Sequence, residues 1–160
     1  MKKRLQISLL ILVIAAGVAH AEEESISPHM MEMMKKMGGA KPDERTELNI
    51  PAPMKVMQKR MMRKHLDTIS EITAALAANE LEQAAKVARE RLGWSPAEEK
   101  RCSMVEKMTG EAGFTSFGMA VHKKADELAD AAQKGDRDKA MGLLSELINN
   151  CNNCHKTFRH

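Results

Sequence analysis

From Pro53 onward, apolar residues recur at helical spacing almost without interruption. Met62, Leu66, Ile69, Thr73 and Leu76, with Ile72 alongside, form one stripe and predict a long helix over about 54–78 whose buried face centres on Ile69. Asn79 is the expected break. Leu81, Ala84, Ala85, Ala88 and Leu92 make a second, shorter stripe that ends at Gly93. Ser95-Pro96-Ala97-Glu98 then reads as a helix start: serine caps, proline takes the first helical position, and the glutamate three residues on completes a capping box. The short helix that follows buries some of Cys102, Val105 and Met108 before Gly110 and Gly113 loosen the chain. A third long helix spans about 114–134, with Phe114, Phe117, Val121, Ala125, Leu128 and Ala132 on one side. Gly135 stops it and Asp136 caps the last helix. That helix carries Ala140, Leu144, Leu147, Ile148, Cys151, Cys154 and Phe158 on its buried stripe, both cysteines included. Four long amphipathic helices joined by short turns predict an all-α protein, an antiparallel four-helix bundle with a short extra helix between the second and third long ones.

The chain ahead of this bundle divides in two. Lys2, Lys3 and Arg4 precede an almost wholly apolar run from Ile7 to Val18, and Ala19-His20-Ala21 gives the small-x-small pattern of a signal-peptidase site. Residues 1–21 therefore read as a cleaved export signal, the apolar run being too short to span a bilayer, and in a bacterium the destination is the periplasm. Residues 22–52 read as an arm, acidic and polar, punctuated by Gly38-Gly39 and prolines at 28, 42, 51 and 53. The bundle proper is expected over 53–160. Export also changes the charge balance. The full chain has 25 Lys+Arg against 22 Asp+Glu, but the signal holds three bases and no acids, so the mature chain is formally neutral. Bulk charge offers nothing to a nucleic-acid partner.

The mature chain, about 139 residues, can bury one real core, yet the chain has no Tyr, one Trp and three Phe. A core so poor in aromatics leaves room for a large apolar cofactor. Cys151-Asn152-Asn153-Cys154-His155 names one, because C-x-x-C-H is the sequence at which haem is covalently attached. Two thiols add across the porphyrin vinyl groups as thioethers, and the adjacent His155 supplies a neutral imidazole to the iron. No second C-x-x-C completes a zinc cage and no βαβ pattern suggests a thioredoxin-like pair. One covalent haem c near the C-terminus of the last helix is expected.

On these residues the chain resembles the class II c-type cytochromes, the cytochrome c′ family, over about 52–160. The likeness is strongest from Gly135-Asp136 through Cys154-His155 to Phe158-Arg159. Met62-Arg63-Lys64-His65-Leu66 and the Ala-rich hairpin from Ile72 to Leu92 resemble the family's low-spin branch. The arm has no counterpart in that pattern. The resemblance implies a four-helix bundle in which the first helix faces the iron. An apolar residue there leaves the sixth position open to NO or CO, whereas a methionine fills it and gives an electron carrier of higher potential. With Ile69 at the stripe centre, Met62 falls about 20° away, His65 about 40°, Met61 about 80° and Met57 about 120°. Met62 is the expected sixth ligand, with His65 and then Met61 as alternatives and ordinary core packing as the plain reading of Met62.

The expected function is a periplasmic monohaem electron carrier for redox partner proteins, its Lys59, Arg60, Arg63 and Lys64 meeting propionates or an acidic partner, or simply forming a solvated face. A five-coordinate NO- or CO-binding protein is the alternative. The resemblance also implies a homodimer through the first two helices, and no membrane span is expected after signal cleavage. Nothing in the chain argues for an enzyme. His122 is expected at the surface or haem edge and Cys102 as a buried thiol. The arm segment His29-Met30-Met31-Glu32-Met33-Met34-Lys35-Lys36-Met37 reads as an amphipathic turn or two; copper handling through its soft thioethers is the other reading.

Overall fold

The structure, a computed structural model, describes residues 26–38 and 42–160. The export signal expected over 1–21 lies outside the described residues. The chain divides into two compact units between Pro42 and Asp43. In the first, α1 (Pro28–Lys36) begins where Ser27 Oγ accepts a hydrogen bond from the Met30 backbone N–H at 3.2 Å, with Pro28 next in the first turn.

The second unit is built from α2 (Ala52–Ala77), α3 (Leu81–Leu92), α4 (Pro96–Thr109), α5 (Phe114–Gln133) and α6 (Arg137–Thr157). Helix α2 packs on α3, α3 on α5, α5 on α6 and α6 back on α2, while α4 lies against α5. This is the helical bundle expected, except that the inserted helix α4, at 14 residues, is longer than the 12-residue α3. Its turns are made by identifiable residues. After α2, Asn79 adopts a left-handed φ of 59°, so the Glu80 N–H reaches the Ala75 carbonyl at 2.8 Å and the Asn79 N–H reaches that of Leu76 at 3.2 Å. Gly135, at φ 78°, makes the same pair of bonds after α5 to Ala131 and Ala132. Asp136 then caps α6 by accepting from the Lys139 N–H at 3.0 Å.

The end of the bundle near these turns is filled. Ile72, Leu76, Ala84, Ala88, Leu128, Ala129, Ala132, Ala140 and Leu144 form one buried cluster in which small alanines let α3 and α5 approach closely. A second cluster at the opposite end joins Leu48, Ile50, Val105, Phe114 and Phe158. It includes residues expected in the arm: Leu48 is 2% exposed, and β1 (Thr46–Glu47) pairs in parallel with β2 (Phe158–Arg159), directly after α6. Leu48 N–H also donates to the Arg159 carbonyl at 2.8 Å. Residues 43–50 thus form a strap tied to the chain's last residues, because two apolar side chains alternating with polar ones find a buried face there. Among the described residues no helix is long and apolar enough to cross a membrane.

The buried face of α2 differs from the expected one. Gln58, Thr68, Ile72, Ala75 and Leu76 are its buried residues, whereas Leu66 is 66% exposed and Thr73 also faces solvent. The face therefore centres near Ile72, about 60° round the helix from Ile69. The capping box at α4 forms by half. Ser95 Oγ accepts from the Glu98 N–H at 3.3 Å, but the Glu98 carboxylate turns toward Arg101 and His122.

Candidate cofactor site

Between the strap and the open end of the bundle lies a cavity of about 230 Å³. Helix α6 contributes Cys151, Cys154 and His155 to it; α2 contributes Gln58, Met61, Met62 and His65. The lid helix α4 adds Glu98, Arg101, Cys102 and Val105, and α5 adds Phe114, Phe117, Gly118, Val121 and His122. Arg45, Leu48, Phe158, Arg159 and His160 come from the strap and the chain's end. All three phenylalanines of the chain are here. Phe158 packs against Phe114 and Phe117 with ring centroids 5.6 and 5.7 Å apart. A chain so poor in aromatics has spent them on this wall.

Cys151 and Cys154 are half-buried on the last turns of α6, as the stripe required. Burial pushes both thiols up, Cys154 to about 11, with Cys151 and Cys102 adding to the effect. Cys102 is likewise pushed to about 11 by burial, then by the Glu98 carboxylate. All three cysteines are therefore neutral thiols near pH 7. His155 is exposed at the helix end, and its carbonyl accepts a hydrogen bond from Arg45 Nη1 at 3.2 Å, linking the strap to the motif.

On the facing wall, the turn of α2 matters. Relative to Ile72, Met61 and His65 each lie about 20° off the face centre and Met62 about 80°. All three expected ligand candidates line the cavity; Met57 does not and is 44% exposed. His65 meets His122 edge-on with ring centroids 5.4 Å apart. Burial, then the neighbouring His122 and Arg101, lowers His65 to about 4, so its imidazole is neutral and has a free lone pair at pH 7.

Of the two places expected for His122, the surface is excluded, and the residue lines the cavity instead. It is 4% exposed, its Nδ1 lies 2.7 Å from the Leu92 carbonyl, its Nε2 lies 3.7 Å from Glu98 Oε2, and its ring is tilted against Trp94. The hydrogen bond to Leu92 O fixes Nδ1 as the protonated nitrogen. The inserted α4 packs on α5 and covers this flank, with Glu98 beside the His122 ring. Glu98, Arg101 and His160 also escaped sequence reasoning as site residues. Their only signal was charge on helices whose docking could not be read from the chain, and in His160 a terminal position.

The donor set suits a haem. Two thiols and an imidazole project from one helix end, two thioethers and a second imidazole stand on the opposite wall, and the space between is mostly apolar. Arg45, Arg101 and Arg159 also line it, and guanidinium groups suit carboxylates. A family model described as Cytochrome C′ matches residues 49–159. No curated protein and no solved structure matches the chain.

Proposed function

Because the chain belongs to the cytochrome c′ family, a monohaem c-type cytochrome family whose members bind one covalent haem c, we propose that it is a periplasmic electron carrier with a six-coordinate iron. The haem supplies one-electron iron chemistry when bound. The chain's residues do the rest. Cys151 and Cys154 provide the sulfurs for covalent attachment, and His155 provides the proximal imidazole. Phe114, Phe117, Val121 and Phe158 exclude water from the cavity, which favours the less charged, reduced state. Arg45, Arg101 and Arg159 offer guanidinium groups to the propionate carboxylates.

The observation that carries the reading is the α2 wall, where Met61, Met62 and His65 stand in the same cavity as Cys151, Cys154 and His155. We assign the sixth ligand to a thioether of the Met61–Met62 pair. Met62 is the residue to which the family resemblance points, and the observed turn of α2 brings Met61 nearer the face centre. Lys59, Arg60, Arg63 and Lys64 are exposed on the same helix and form a basic surface for an acidic redox partner.

Visible spectra of the mature holoprotein test this. A low-spin reduced spectrum unchanged by CO is expected in the native protein and in His65→Leu. Either Met62→Leu or Met61→Leu should become high-spin and CO-reactive. A native protein that is already high-spin and binds CO overturns the carrier reading in favour of gas binding.

A further inference from the structure

The arm helix α1 has an unusual composition. Residues 30–37 hold five of the chain's 14 methionines, and no Leu, Ile, Val or Phe stands among them. From residue 30 to residue 37, every apolar position carries sulfur. All five side chains are exposed, from 43% at Met34 to 78% at Met37. Helical geometry sorts them. With Met30 as reference, Met37 lies about 20° away, Met34 about 40° and Met33 about 60° on the other side, so four thioethers share an arc of about 100°. Met31 falls about 100° off. The charges keep clear of that face: Glu32 and Lys36 pair with each other at 3.0 Å and Lys35 lies beyond Met31. The backbone helix extends far enough for the last member, since the Met37 N–H donates to the Met33 carbonyl at 2.9 Å.

We propose that Met30, Met33, Met34 and Met37 form a binding site for a soft monovalent cation, Cu(I). Residues three and four apart on a helix have neighbouring Cβ atoms about 5–6 Å apart, and methionine has three rotatable bonds with which to bring its sulfur inward. Neutral thioethers bind Cu(I) well and discriminate against Zn(II), Mg(II) and Ca(II), which favour nitrogen, thiolate or oxygen ligands. The face carries no carboxylate for a hard cation. Simple hydrophobic docking would be served equally by leucine, which is why the uniform choice of methionine points to the sulfur. The site is independent of the haem reading.

Anaerobic titration of the holoprotein with Cu(I), followed by native mass spectrometry, tests it, with Ag(I) as a redox-inert check. One retained ion per chain is expected, and none with Zn(II) at the same concentration. A quadruple variant, Met30→Leu, Met33→Leu, Met34→Leu and Met37→Leu, keeps helix propensity and the apolar face but should lose the ion. Met31→Leu should keep it, and the haem spectrum reports in every variant that the bundle is intact. Undiminished retention in the quadruple variant, or equal loss in Met31→Leu, overturns the site.

Discussion

Cys102 shares its cavity with Cys151 and Cys154, and the Coulombic influence of its sulfur reaches Cys154, yet its surroundings close it to chemistry. It is 8% exposed, it packs so closely on Gly118 that a Cβ there would lie 2.5 Å from its sulfur, and burial holds its thiol near 11. At pH 7 the thiol is held in its unreactive protonated form. In the holoprotein, where the proposed attachment would occupy Cys151 and Cys154, Cys102 is expected to resist iodoacetamide under native conditions and to react promptly in denaturant. Because its pKa is raised, native labelling should quicken about tenfold for each pH unit up to about 11. Mass spectrometry after timed labelling reads this directly, and fast labelling at pH 7 would contradict the burial described.

At the scale of elements, the helices were legible because their boundaries are written in local chemistry. Ser95-Pro96, Gly135-Asp136 and Asn79 act through their own backbone neighbours, and each behaves in the structure as its residue type dictates. Two features were not legible, for separate reasons. The face of α2 was misplaced by about 60° because a wall that lines a cofactor cavity need not be apolar. Gln58, Met61, His65 and Thr68 mark it, while Leu66, an apolar member of the expected stripe, faces solvent. The strap was missed because its pairing partner lies at the far end of the chain, and a two-residue strand leaves almost no periodic signal. Its anchor is nevertheless a core residue. Leu48→Ala should cost about 2–5 kcal/mol, the range for truncating a buried leucine, and should loosen the pairing beside His155. A lowered denaturation midpoint together with a shifted reduction potential is expected; a lowered midpoint with an unmoved potential would mean that the strap supports the fold without shielding the site.

Across the bundle, one end is closed by side chains packed together and the other surrounds the cavity. Ile72, Leu76, Leu128 and Leu144 close the end near the α2–α3 and α5–α6 turns with side chains alone. At the strap end the three phenylalanines pack into one wall of a cavity that α2 also lines, and polar groups such as Glu98 and His122 line it too. That asymmetry is the structural form of the composition noted at the outset, since a chain with no Tyr and one Trp lacks the side chains to fill both ends. Local stability follows the density of buried apolar contacts, so the two ends should part company when the cofactor cannot attach. In a full-length Cys151→Ala, Cys154→Ala variant, amide hydrogen exchange is expected to stay slow over 72–92 and 125–147. Protection should fall first over 96–123 and 150–158, where α4, the start of α5 and the end of α6 surround the cavity. The holoprotein should show slow exchange in all of these helical segments. Equal loss of protection at both ends in the variant would show instead that the closed core cannot stand without the site, and that attachment of the haem and folding of the bundle are one event.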